Sequence, residues 1–293
     1  MHAALPFLFA LLLQTPASSD PLPTAEAIMA RVAANQDRSQ AERSRYIYVQ
    51  HARVVARKGK TVRCEEVTDS RVTPSPEGSH QELLKLEGRL LRKHSYVTYT
   101  ALPPAKDAGK TPVDLAHDSI SIEIGGEDAD RDIVENMRSN LTNDKSKDGI
   151  GAHLFPLTSK SQSDYQFHLI GREHLQGHHV FHIAFRPNDK NDYAWKGDAY
   201  IDATAYQPVV VSTTMSRAVP FAVRTLLGTN LPGLGFSVVY EARPDGVWFP
   251  VSFGTEFKLR VLFFFSRTIT INARNGDFEK TQVDSKIVSP QQN

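Results

Sequence analysis

Tyr165-Gln166-Phe167-His168-Leu169-Ile170 and His179-Val180-Phe181-His182-Ile183-Ala184-Phe185, joined by a turn-rich gap over Glu173 to Gly177, decide how this chain folds. Both runs are rich in β-branched and aromatic residues and are strand-sized, so together they predict a β-hairpin. The same texture continues toward the carboxyl end. Strands are expected over Asp198 to Asp202, Pro208 to Met215, Gly235 to Ala242, Val247 to Phe253, Glu256 to Phe265 and Thr268 to Asn272. Turn clusters separate them at Pro187-Asn188-Asp189, Arg243-Pro244-Asp245-Gly246 and Arg274-Asn275-Gly276-Asp277. That succession reads as an antiparallel meander.

Working outward to the amino side, Tyr46 to Val55 has the same strand composition, and Lys58-Gly59-Lys60 turns it into Thr61 to Thr68. Thr73 to Gly78 is a turn cluster before a short segment, Glu82 to Leu91, and residues 101–118 read as a loop. Two helices precede or interrupt the strands. Leu22 to Arg43 starts from Thr24 as N-cap and puts Ala25, Ile28, Met29, Val32 and Ala33 on one face. Asp128 to Asn140 has acids near its start, with Ile133, Val134, Met137 and Leu141 at helical spacing. The expected class is α+β, mostly β.

The first residues set the expected compartment. Ala3 to Leu13 is wholly apolar, too short to span a bilayer, and is followed by the small, helix-breaking stretch Gln14 to Ser19. This is the pattern of a cleaved secretory leader over residues 1–19, although its start lacks Lys and Arg. No cysteine follows for lipid attachment. The expectation is a periplasmic protein without a lipid anchor, with residues 20–293 as one β-rich domain. The single cysteine, Cys64, sits in a strand-like stretch with no His nearby and reads as a packed residue rather than a nucleophile.

Charge is nearly balanced, with 34 Lys and Arg against 33 Asp and Glu, and no basic cluster stands alone, so nucleic acid is not an expected partner. The chain has no phosphate-binding loop, no Gly-x-Ser-x-Gly elbow, no Ser-x-x-Lys and no His-Glu-x-x-His. Nothing positive argues for an enzyme or a cofactor. The eleven histidines include His168, His174, His178, His179 and His182. On a helix, positions 174, 178 and 182 would form a metal face, but Gly177 and the alternation after it favour a strand. There His168 and His182 could face one another across the hairpin, two ligands where zinc needs a third. A metal site therefore stands as the lesser alternative to structural or solvated histidines.

Strand faces carry the functional hint. Over Glu256 to Phe265, Phe257, Leu259, Val261, Phe263 and Phe265 are all large and apolar, and Leu262 and Phe264 make one end apolar on both faces. Val219 to Phe236 is an apolar excursion containing Leu226 and Leu227, broken by prolines and glycines; such a segment plugs a barrel or covers a cavity. Phe181, Ile183 and Phe185 offer a similar row on the hairpin. Phe257, Leu259, Val261, Phe263, Phe265, Leu226, Leu227, Phe181, Ile183 and Phe185 are candidates to line a ligand site, and a plain hydrophobic core explains them nearly as well.

Gly171-Arg172-Glu173-His174-Leu175-Gln176-Gly177, then Phe181 to Pro187, then Trp195-Lys196-Gly197-Asp198-Ala199-Tyr200-Ile201-Asp202 and Tyr206-Gln207-Pro208-Val209, resemble the outer-membrane lipoprotein-sorting (LolA-like) superfamily, which also contains RseB-like periplasmic domains. The strong part covers Gly171 to Met215. The resemblance implies an incomplete antiparallel half-barrel with helices covering an apolar concave face, and a cavity for acyl chains. Trp195 would pack the barrel edge and Asp202 would cap the turn to Tyr206. The chain departs from a minimal carrier by its length and by the apolar insertion near 219–236. The resulting expectation is a carrier or sensor for a lipid or an acylated, lipoprotein-like ligand. The alternatives are an envelope interaction or signalling module that docks a membrane-bound partner and, behind it, a histidine-dependent metal enzyme.

Overall fold

A computed structural model of the chain describes residues 22–101, 113–114, 121–122, 128–139, 141, 145–149, 156–189, 194–216, 229–230, 235–261 and 265–281. The expected leader, the candidates Leu226, Leu227 and Phe263, and most of the apolar insertion lie outside the described residues; Val261 is described in its backbone only.

Helix α1 spans Ala25–Arg43, and the Thr24 hydroxyl accepts a hydrogen bond from the Ala27 amide at 3.2 Å, as an N-cap should. Four strands follow: β1 Tyr46–Lys58, β2 Thr61–Ser75, β3 Gly78–Arg92 and β4 Ser95–Tyr99. Short strands β5 Val113–Asp114 and β6 Ser121–Ile122 pair with each other. Helices α2 Ala129–Ser139 and α3 Ser159–Gln162 come next. The remaining strands are β7 Tyr165–Leu175, β8 His178–Pro187, β9 Trp195–Asp202, β10 Pro208–Met215, β11 Thr229–Asn230, β12 Gly235–Ala242, β13 Trp248–Val261 and β14 Phe265–Lys280.

All strand pairs of the main sheet are antiparallel, in the order β4-β3-β2-β1-β14-β13-β12-β10-β9-β8-β7, with β11 against β13. The path starts at β4 and ends at β7, so the sheet is not closed. This is the mostly β class that the strand pattern predicted and the open half-barrel that the resemblance implied. The join of β1 to β14 places the first strand against the last and interrupts the expected meander, and β10 pairs with β12 past the short β11.

Several expected breaks are absorbed into long strands. The predicted strands Val247 to Phe253 and Glu256 to Phe265 are one strand, β13, up to Val261. Val251 is the extra residue where the β12 register steps from Ser252 to Pro250, so a bulge accommodates a proline that has no ladder N–H. The cluster Arg274 to Asp277, expected as a turn, lies within β14. Asp277 takes a left-handed φ of 48° at the register shift opposite Ile47 and Val49, so the irregularity bends the strand without ending it. Likewise Thr73 to Gly78 shrinks to a tight turn between Ser75 and Gly78, and Glu82 to Leu91 becomes part of the 15-residue β3.

Two glycines have a steric reason. Gly197 lies where β9 meets β10, and a Cβ there would run into the Ser212 carbonyl oxygen. Gly88 is covered by the ring of Tyr99, which occupies the space a side chain would take.

Candidate functional site

Of three apolar clusters among the described residues, two lie beneath helices. The first lies under α1, where Ile28, Met29 and Val32 pack with Phe181, Ile183, Phe185, Ile201, Val211 and Val238. In the second, Ile133, Val134 and Met137 of α2 pack with Val54, Leu90, Phe257, Leu259, Ile269 and Ile271. The clusters adjoin, because the half-buried Trp195 and Phe253 pack against both. Of the candidate lining residues, Phe181, Ile183, Phe185, Phe257 and Leu259 are buried, and Phe265 is half-buried beside the second cluster. The structure thus divides them between two helical covers rather than gathering them at one place. Trp195 packs edge-on against Phe236, with ring centroids 4.7 Å apart.

The covers are fastened by polar contacts. On α1, Asn35 Nδ2 donates to the carbonyls of Ala205 at 2.9 Å and Tyr206 at 3.0 Å, and Gln36 Nε2 donates to Gln207 Oε1 at 2.5 Å. Those carbonyls belong to the β9–β10 turn, which Asp202 shapes by accepting from the amides of Thr204 and Ala205 at 2.8 and 2.6 Å. Burial opposes the charged form of Asp202, but these amides and His178, 2.7 Å away, outweigh it and hold its pKa below the usual range. At the end of α1, Arg43 Nε meets Asp148 at 2.9 Å; both are buried, and Asp148 also accepts from Ser146 Oγ.

Helix α2 is latched by charge along its length. Asp128 accepts two hydrogen bonds from Arg92 Nη2, at 2.8 and 2.7 Å. Asp130, itself buried, receives Arg267 and, at 3.2 Å, Arg63. In the last turn Arg138 reaches the buried carboxylate of Glu66 at 3.0 Å, and Glu66 also accepts from the Tyr99 hydroxyl at 2.9 Å. Arg131 lies over the Tyr99 ring and pairs with Glu135 at 2.7 Å. Burial raises the Glu135 pKa, Arg131 pulls it down, and nearby Glu66 adds to the rise. Burial likewise pushes the Cys64 thiol up to about 12, so it is a protonated packed residue hydrogen-bonded to Tyr99.

These latches were not among the residues singled out from sequence. The available signal was weak: acids on α2 beside an apolar stripe, and an acid inside a strand at Glu66.

The histidines are distributed differently from the expected register. His168 pairs with Ala184, and His182 with Gly171; His174 faces His179 across the hairpin, with ring centroids 4.1 Å apart. The cause is a two-residue turn, Gln176-Gly177, both at positive φ, combined with a bulge at Ile170. His182 lies between two carboxylates, with Nδ1 2.7 Å from Glu173 and Nε2 2.9 Å from Asp198, and its ring stacks on Tyr200. The carboxylates address opposite ring nitrogens, so the three side chains diverge instead of converging on one ion. Among the described residues no group of three or more His, Cys, Asp and Glu side chains could hold a metal ion.

Burial opposes the charged imidazole of His182, but the hydrogen bonds it donates to Asp198 and Glu173 outweigh it and raise its pKa. A raised folded pKa gives stability that is complete below the unfolded value of about 6.5 and is lost as pH rises through the folded value. Hydrogen exchange of β7, β8 and β9 amides should therefore slow on going from alkaline to mildly acidic pH, once corrected for intrinsic rates. His182→Gln should remove that pH dependence; an unchanged profile would show that the bracketed imidazole does not bind these strands together.

No protein-family model matches the sequence, and no curated protein does. Solved structures similar to the chain include a LolA superfamily protein from Nitrosomonas europaea, with 13% identity, TM-score 0.34, and coverage of 92% of this chain and 99% of that one. A DUF1329 family protein from Desulfovibrio piger has 11% identity, TM-score 0.36, and coverage of 88% and 94%. The Pseudomonas aeruginosa MucA/MucB complex has 12% identity, TM-score 0.21, and coverage of 85% and 99%.

Proposed function

We propose that this chain is an envelope carrier or sensor that takes a lipid, or the acyl chains of a lipoprotein, onto the apolar floor beneath α2. The observation that carries the reading is how that floor is covered. Phe257, Leu259, Ile269 and Ile271 form a continuous apolar patch, and the helix over it is held by buried or half-buried ion pairs at Asp130 and Glu66. Bringing charges out of water consumes most of what their attraction returns. A cover fastened in this way is bound less firmly than its apolar area alone would suggest, and a ligand that buries the same floor can compete with it. Each acyl methylene placed there contributes about 0.8 kcal/mol.

In this reading Phe265 extends the floor, and Phe181, Ile183 and Phe185 form the neighbouring floor under α1. On the same reading the apolar run Ala3 to Leu13 is an export leader and the protein works in the periplasm, where acylated proteins and lipids are available. Binding, rather than catalysis, is the activity this floor supports.

Native mass spectrometry and lipid extraction of protein purified from the cell envelope test the proposal. A lipid-sized mass adduct, exchangeable for a fluorescent fatty acid, is expected. Protein that is recovered empty and takes up no fatty acid would sink it and leave the interaction-module reading.

A further inference from the structure

The hairpin tips at one end of the sheet carry cations that no described residue neutralises. Lys58 and Lys60 flank or occupy the β1–β2 turn, Lys93 sits at φ 53° in the β3–β4 turn, and Lys258 and Arg260 lie at the end of β13. Register places these tips side by side. Lys58 pairs with Thr61, Arg92 with Ser95, and Thr268 is opposite both Arg57 and Lys258. At about 4.8 Å per strand, from β3 through β2, β1 and β14 to β13, the row is about 20 Å wide.

Carboxylates at that end already have partners: Glu256 with Arg57, Asp128 with Arg92, and Asp130 with Arg63 and Arg267. Among the described residues Lys58, Lys60, Lys93, Lys258 and Arg260 are exposed and make no ion pair or side-chain hydrogen bond. A chain with a formal net charge of only +1 thus concentrates five unpaired cations on one rim. Beside them the edge strand β4 exposes Tyr96 and Val97 at 44% and 46%.

We infer that this rim docks on a membrane surface of anionic phospholipid headgroups. Long, unpaired basic side chains along one rim match a sheet of phosphates, and an exposed aromatic and aliphatic pair beside them suits the headgroup boundary. Nucleic acid fits less well, because the rim offers a row of tips rather than a groove tracking a backbone. The inference goes beyond acyl binding and is independent of what occupies the floor under α2.

Co-sedimentation of the whole chain with phosphatidylcholine vesicles, with and without phosphatidylglycerol, tests it. The zwitterionic vesicles report any purely apolar attachment, so the difference isolates charge. Binding should require phosphatidylglycerol and weaken with added salt. At about fivefold per cation, Lys58→Glu with Lys258→Glu should weaken it at least about 25-fold. Lys147→Glu with Lys160→Glu, exposed positions away from the rim, changes net charge equally and should leave binding nearly intact. Circular dichroism checks that both pairs fold. Equal binding to both vesicle types, equal loss in both variant pairs, or equally tight binding of single-stranded DNA would overturn the inference.

Discussion

Asp130→Ala is expected to lower the unfolding free energy by about 3–5 kcal/mol, the range for breaking a buried ion pair and stranding its partner. The side chain lies at the start of α2 and receives Arg267 and Arg63; Asp130 and Arg267 are 7% and 8% exposed, so little water is available to replace the carboxylate. Asp128→Ala, two residues earlier, removes an equally well-formed pair whose Arg92 is largely in solvent, and should cost less than about 1 kcal/mol. Urea unfolding of the two variants measures the contrast. A compensated variant, Asp130→Leu with Arg267→Met, removes both charges together and should recover most of the loss. If it stays as unstable as Asp130→Ala, the loss lies in packing at the helix start, and the latch has no electrostatic basis.

What could be read from the sequence and what could not follow from the range of each interaction. Local periodicity identified both helices and their inward faces: Ile28, Met29 and Val32 on α1, and Ile133, Val134 and Met137 on α2, are all buried. It also gave the β7–β8 hairpin and the inward row Phe257 and Leu259, because strand alternation is written in neighbouring residues. The pairing of β1 with β14 is not written locally; it joins Tyr46 to Lys280 across nearly the whole chain. Bulges at Val251 and Ile170 were hidden for another reason, since one extra residue looks the same in sequence as an ordinary turn signal. The latches were hidden by chemistry: an Asp on a helix usually faces water, and only the fold brings Arg63 and Arg267 to Asp130. Resemblance over Gly171 to Met215 found the correct turn, where Asp202 caps the chain, yet the fastened helix over the neighbouring cluster lies outside it.

The sharpest test of the proposed function comes from two variants on opposite sides of one contact. Leu259→Ala cuts into the floor: the side chain is fully buried in the cluster under α2, and its loss should cost about 2–5 kcal/mol. Ile133→Ser cuts into the cover at an equally buried position and should cost about 3 kcal/mol, through lost apolar burial and an added hydroxyl. On stability the two act alike. On ligand they should act oppositely, because an acyl chain that takes the place of α2 gains from the floor and competes with the helix. Leu259→Ala removes surface that both the helix and the ligand use, so bound lipid should fall. Ile133→Ser weakens only the helix's claim on that surface, so the ligand-competent population and the apparent affinity for a fatty acid should rise. Fluorescent fatty acid titration of both variants reads the sign directly. Were affinity to fall in both, α2 would be part of the binding wall rather than its cover; were it unchanged in both, the floor would be an ordinary core and the ligand would have to be sought elsewhere.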